Sequence, residues 1–189
     1  MVHPVPTNYM PISLEPSVPV AFICALTVDG ESIYQRALSE LVTRFGPVGA
    51  ESGGYSFDVA GYYAKEMGAG LSKNIICFEE LVDPAALAQH KLDAMNVERS
   101  LARTRDGQLL RRVNIDPGLL SIESLVLATS KRAGHRICIG PSLYAETTLL
   151  YQKGKYRPLP WTYLDYQGEL VQQFLLGRRR WLKALRKNA

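Results

Sequence analysis

Residues 18–28, "VPVAFICALTV", are almost continuously apolar. A run without alternating polar positions predicts a strand buried on both faces. The period then changes. Ile33, Tyr34, Ala37, Leu38, Leu41, Val42 and Phe45 recur at spacings of one, three and four, the stripe of an amphipathic helix. Asp29 is placed to cap that helix and Gly46-Pro47 to end it. A glycine-interrupted segment ending in "YSFDV" predicts a second strand, "GYYAKEMGAGLSK" a loop, and "NIICFEEL" a third strand. Asp83-Pro84 announces a helix to about residue 102, with Leu87, Ala88, Lys91, Leu92 and Met95 on one face.

"RTRDGQ" reads as a turn, and "RRVNIDPGLLS" (111–121) follows it. Arg112, Asn114 and Asp116 alternate there with Val113 and Ile115, which predicts a strand that breaks at Pro117-Gly118. Ser121 is then expected to cap a short helix carrying Ile122, Leu125 and Val126, with Gly134 at its end. "HRICI" predicts a strand, and "LYAETTLLY" and "YRPLP" a hairpin turned at Lys153-Gly154. An amphipathic helix is expected over about 166–187.

The predicted order is β-α-β-β-α-β followed by α-β-β-β-α. The fold class it implies is α+β, with a ferredoxin-like β-α-β-β-α-β core, an extended and mostly antiparallel sheet, and a C-terminal amphipathic helix. Residues 1–17 contain four prolines and no apolar periodicity, so a loosely ordered lead-in is expected, with one domain over 18–189.

Composition adds little: 47% hydrophobic and 21% charged residues suit a soluble globular chain. The net charge of +4 is a property of the C-terminus. Arg178, Arg179, Arg180, Lys183, Arg186 and Lys187 stand together without an acid, and taking those six from 22 basic residues leaves 16 against 18 acids. Cys24, Cys77 and Cys138 each sit in an apolar run with no CxxC or Cys/His spacing, which points to core thiols in a reducing cytoplasm. No signal peptide or membrane-length apolar run is apparent. There is no phosphate loop, GxGxxG, GxSxG, HExxH or EF-hand pattern, and three histidines make a multi-histidine metal site implausible.

Three constellations carry candidate chemistry. The first is the loop around Asp58, Tyr62, Tyr63, Glu66 and Lys73, where glycines would let backbone approach a ligand. The second is a pair of polar stripes. Asn114 and Asp116 lie on one strand face, and Tyr144, Glu146 and Thr148 on another. If those strands neighbour each other, two carboxylates and an amide would meet, a set suited to Mg²⁺ or to acid–base exchange. A solvated sheet face explains the same alternation. The third is "SKRAGHRI", where Lys131, His135 and Arg136 would clamp an anion, although Lys131 and Gly134 also suit a helix end.

Longer strings resemble a known family. "RFGPVGAESGGYSFDVAGYYAKEMG", "FEELVDPAALAQHKL", "RRVNIDPGLL", "LVLATSK…HRICIG" and "LYAETTLLYQKGKYRPLPWTYLDY" together resemble a bacterial domain-of-unknown-function family numbered 4416, over about residues 18–170. The resemblance implies no particular activity. Some members carry the label "GTP-binding protein", which the absence of a phosphate loop and of an NKxD-like guanine motif does not support here.

The expectation is therefore a cytoplasmic protein that binds a small anionic ligand, nucleotide or phosphorylated, with metal-assisted hydrolysis as its chemistry. Asp116, Glu146 and His135 would be catalytic, with Asp116 and Glu146 holding the metal. Asn114, Lys131, Arg136, Tyr144, Tyr62, Tyr63, Glu66 and Asp58 would bind the ligand. Two alternatives stand beside it: an RNA or ribonucleoprotein module using the six C-terminal cations, and a non-catalytic assembly protein.

Overall fold

The computed structural model describes residues 16–57, 63 and 66–188. The expectations for residues 1–15, Asp58 and Tyr62 lie outside them. The chain forms a mixed α+β domain in three layers, a large antiparallel sheet between helices. Strand β1 (Val20–Val28) is the centre of that sheet, and every one of its residues is buried. Phe22, Cys24, Leu26 and Val28 face one core, Ala21, Ile23 and Ala25 the other. That double burial is why the run is apolar at both parities.

Helix α1 (Glu31–Phe45) buries Ile33, Tyr34, Ala37 and Leu41 against the first core. Asp29 does not cap it. Gly30 occupies that position, and the Asp29 carboxylate is turned to the Arg112 guanidinium at 2.8 and 3.2 Å. Strands β2 (Val48–Glu51), β3 (Tyr55–Ser56) and β4 (Ser72–Val82) follow. Asp83 accepts from the Ala85 amide, as a cap should, and opens a 3-10 turn over Pro84–Ala86 that continues into helix α2 (Leu87–Ser100). "RTRDGQ" is the tip of a separate two-stranded hairpin, β5 (Arg103–Arg105) and β6 (Gln108–Leu110).

Strand β7 (Val113–Leu120) does not stop at Pro117-Gly118. It runs through both residues. The helix expected after Ser121 is absent, and strand β8 (Ser124–Thr129) takes its place. Ser121 still acts locally, its hydroxyl accepting from the amides of Glu123 and Ser124, but the turn so built is a hairpin turn. Strands β9 (Ile137–Gly140), β10 (Leu143–Gln152) and β11 (Lys155–Pro158) complete the sheet. Lys153 and Gly154, both at positive φ (47° and 89°), make the expected two-residue turn between β10 and β11. A 3-10 turn over Leu164–Gln167 leads into helix α3 (Glu169–Asn188), which buries Val171, Leu175 and Leu182 on the second core. No helix among the described residues is long and apolar enough to cross a membrane.

The sheet order is β11-β10-β8-β7-β1-β4-β2, with β3 also on β4, β9 also on β10, and all pairings antiparallel. Its irregularity lies between β7 and β8. β7 pairs with β1 along its whole length, from Val113↔Val28 to Leu120↔Ala21. It pairs with β8 only at Gly118, Leu119 and Leu120. Below Gly118 the strands part, while β8 stays with β10 through Thr129. Main-chain groups alternate sides along a strand, so Ile115 and Pro117 share the edge that faces the gap. Proline has no N–H to leave unpaired there. Ile115 has both groups, and α2 supplies their partners: Glu98 accepts from the Ile115 amide at 2.7 Å, and Lys91 donates to its carbonyl at 2.6 Å.

Gly118 closes the fork at its narrow end. A Cβ there would lie 2.5 Å from Leu127 Cδ2 and 2.9 Å from the Val126 carbonyl oxygen. Gly118→Ala should therefore destabilise the protein by about 1–3 kcal/mol in urea unfolding. Gly134→Ala, which meets nothing within 4 Å, should be near neutral. Equal stability of the two variants would show that β7 and β8 do not approach this closely.

A second prediction concerns His90. Its ring packs between Phe22 and Phe45, with centroids at 4.5 and 5.2 Å, and neither nitrogen has a hydrogen-bond partner among the described residues. Burial lowers its pKa below the ordinary 6.5, against a smaller upward pull from Asp93. The unfolded chain then takes up a proton near pH 6.5 that the native chain refuses. Stability should fall as the pH drops through 6.5 towards the lower native value, and be unaffected above it. His90→Phe should flatten that part of the profile when melts are compared between pH 8 and pH 5. Parallel profiles would remove His90 from the account.

Candidate functional site

The parting of β7 from β8 leaves a cavity of about 420 Å³. Register places its polar wall. Asp116 lies opposite Ala25, Gly118 opposite Leu127, and Leu127 opposite Glu146, so Asp116, Leu127 and Glu146 share the sheet face towards Tyr166 and α3. Asn114 lies two residues before Asp116 on that face. From beyond the sheet, α2 sends Lys91, Met95, Glu98 and Arg99 to the gap. The turn after β8 adds Ser130, Lys131 and Arg136. Lys73 comes from β4, and Tyr163 and Tyr166 come from the segment before α3.

Asn114 and Glu146 are each only 5% exposed, so the alternation is not that of a solvated sheet face. Burial requires that each charge find a partner. Lys91, 4% exposed, stands 3.7 Å from Glu98 and 3.6 Å from Asp116. Burial pushes the Glu98 carboxyl above its usual range, with Lys91 pulling the other way. Arg111 holds Glu66 through two nitrogens at 2.7 and 2.8 Å and gives a third bond to Asn114 Oδ1 at 2.7 Å. The hydrogen bonds from that guanidinium keep the Glu66 carboxyl below its ordinary value. Asn114 in turn donates to Asp116 Oδ2 at 2.8 Å. Lys73 sits between the rings of Phe57 and Tyr166, 4.6 Å from each centroid, and pairs with Asp165 at 2.6 Å.

On the far wall, Glu146 Oε2 accepts from Arg136 Nε at 2.8 Å and is 3.0 Å from His135 Nε2. His135 is stacked on Trp161, centroids 4.6 Å apart at 9°, and the Trp161 indole donates to the Thr147 carbonyl. Six Lys and Arg side chains thus line the cavity (Lys73, Lys91, Arg99, Arg111, Lys131 and Arg136) against three carboxylates (Glu98, Asp116 and Glu146).

Of the residues expected from sequence, Asn114, Asp116, Lys131, Arg136, Glu146, Tyr63 and Lys73 line this one cavity. The strands of Asp116 and Glu146 are not neighbours, because β8 runs between them. They meet across the fork that β8 leaves open. His135 is outside the lining and positions Glu146 from behind. Glu66 acts through Arg111. Tyr144 is not in the lining and lies opposite Thr129 and Cys138. Among the described residues no three His, Cys, Asp or Glu side chains gather closely enough to hold a metal ion. Sequence reasoning missed Lys91, Glu98, Arg99, Arg111 and Tyr166 as site residues. One signal was present: Lys91 stands inside the apolar stripe of its helix, and Glu98 follows two turns later on the same side.

No curated protein and no solved structure matches this chain. A family model does, over residues 18–181, and the chain belongs to the family described as Domain of unknown function (DUF4416).

Proposed function

We propose that this protein binds a small organic anion in the fork cavity. The observation that carries the reading is the gathering of six cations on one cavity lined by three carboxylates, with Glu66 and Asp165 binding two of those cations from outside the lining, so that cations still outnumber carboxylates there by one. A charge in such a setting acts through a lower effective dielectric than at an open surface, so it attracts a ligand more strongly. The volume is within the range of about 300–1,000 Å³ usual for small-molecule sites. Asp116 and Glu146 each already face a cation, Lys91 and Arg136. This favours a role in orienting a ligand over the Mg²⁺ coordination their residue types suggested. The reading assigns binding and no reaction.

The strand order supports reading the first part of the domain as a ferredoxin-like core. In the β-α-β-β-α-β unit formed by β1, α1, β2, β4, α2 and β7, the spatial order is fourth, first, third, second, with α1 and α2 on one face. Strands β8 to β11 extend it. The unpaired thiols of Cys24, Cys77 and Cys138 suit a reducing compartment such as the cytoplasm.

A second reading, RNA binding by α3, rests on fewer groups than the sequence offered. Arg179 donates to the Ile122 carbonyl and lies 3.4 Å over the Tyr151 ring, and Arg186 donates to the Pro19 carbonyl. Arg180, Lys183 and Lys187 remain exposed along one side of the helix.

Calorimetry with pyrophosphate and nucleotides at fixed salt tests both. Arg99→Glu/Lys131→Glu should weaken anion binding by about tenfold or more, since two attractive charges become repulsive. Arg180→Glu/Lys183→Glu/Lys187→Glu should leave it unchanged. RNA retention lost only in the helix variant, with no anion bound by the wild type, would favour the second reading.

A further inference from the structure

We infer that the anion held in the fork cavity carries N–H donors on a flat heterocycle, as a nucleotide does, and that Glu146 and Asp116 read those donors. This rests on the binding reading above and names the class of ligand. Glu146 is 5% exposed and lines the cavity. Its Oε2 serves both Arg136 and His135, whereas Oε1 accepts no hydrogen bond among the described residues. On the opposite wall, Asp116 Oδ2 accepts from Asn114, and Oδ1 stands 3.6 Å from Lys91, beyond hydrogen-bond length. Each wall therefore presents a carboxylate oxygen with unused accepting capacity; the buried one on Glu146 is costly to leave unmatched, whereas the Asp116 side chain is 31% exposed.

The edge of β8 adds a third acceptor. Ser121 donates to the Ser124 carbonyl at the closed end of the hairpin. Counting by twos, Leu119 and Val126 exchange bonds next, and the C=O of Ala128 points the same way, opposite Pro117, which has no N–H to give it. That carbonyl is left to the cavity that Ala128 lines. Met95 and Leu127 supply apolar wall between the polar groups. A fully ionised phosphate offers these acceptors no donor. A heterocycle with ring or exocyclic N–H groups offers several, and its flat apolar faces suit Met95 and Leu127.

Glu146→Gln makes the test sharp. The amide oxygen can still accept from Arg136 and His135, while the NH₂ replaces Oε1 and turns an acceptor into a donor. Wild type, Glu146→Gln and Asp116→Asn are titrated by calorimetry with pyrophosphate, ribose 5-phosphate and the four nucleoside monophosphates AMP, GMP, CMP and UMP. Thermal melts confirm that each variant is folded. At least one nucleotide should bind wild type about tenfold more tightly than ribose 5-phosphate, as a charged hydrogen bond allows. Glu146→Gln should lose most of that advantage, yet bind pyrophosphate and ribose 5-phosphate at least as tightly as wild type, since the exchange removes a negative charge from the cavity. Should Glu146→Gln not fold, Asp116→Asn decides by the same criterion. Ribose 5-phosphate binding as tightly as every nucleotide, or a nucleotide preference intact in the folded variants, overturns the inference. If pyrophosphate and ribose 5-phosphate bind and no nucleotide does, the heterocycle is wrong and anion binding stands. If nothing binds, anion binding falls and the inference with it.

Discussion

The clamp of Lys91 and Glu98 on the main chain of Ile115 is the interaction on which the rest of the molecule depends. A sheet edge buried inside a domain must pair its amides and carbonyls with something. Between β7 and β8 that something is a helix and not a strand. Because α2 supplies the Ile115 partners, the sheet can fork without orphaning its backbone, and a fork creates interior space. Pro117 removes the next donor that would face the gap, and Gly118 lets the strands close again just beyond it. A buried ammonium and a buried carboxylate cost desolvation, offset here by hydrogen bonds to main chain and by their mutual attraction.

The fork also explains the distribution of charge. Cations cluster where β7, β8 and α2 diverge, and each of the four most buried is held by a carboxylate: Lys73 by Asp165, Lys91 by Glu98, Arg111 by Glu66, Arg136 by Glu146. The carboxylates come from the loop before β4, from α2, from β10 and from the segment before α3, so the cavity ties distant parts of the chain together. His135, Trp161 and the Thr147 carbonyl form a brace behind Glu146 that fixes which of its oxygens is spent and which faces inward. Helix α3 serves the second core, and two of its arginines are used to dock it.

Much of this was legible along the chain. The doubly buried first strand, the stripe of α1, the Asp83-Pro84 helix start, the Lys153-Gly154 hairpin and the terminal helix all follow from apolar period and turn chemistry, which act over a few residues. So did the side of the strand on which Asn114, Asp116 and Glu146 stand, since alternation is a local property. Around Ser121 the local signals were ambiguous. The hydroxyl bonding that starts a helix also builds a hairpin turn, and "SLVLAT" is as apolar as a short helix face. Pairing of β8 with β10 decided for the strand.

The sequence by itself determined most of the elements, though not strand β8, together with parities and the concentration of polar residues in three short stretches. It did not determine that β7 would run through Pro117 and leave its neighbour, because that choice depends on α2 reaching Ile115 from 24 residues earlier. Sequence placed Lys91 on the apolar face of its helix, but not the strand that it and Glu98 serve. Alternation tells which way a side chain points, but only the packing of non-adjacent segments decides what it points at.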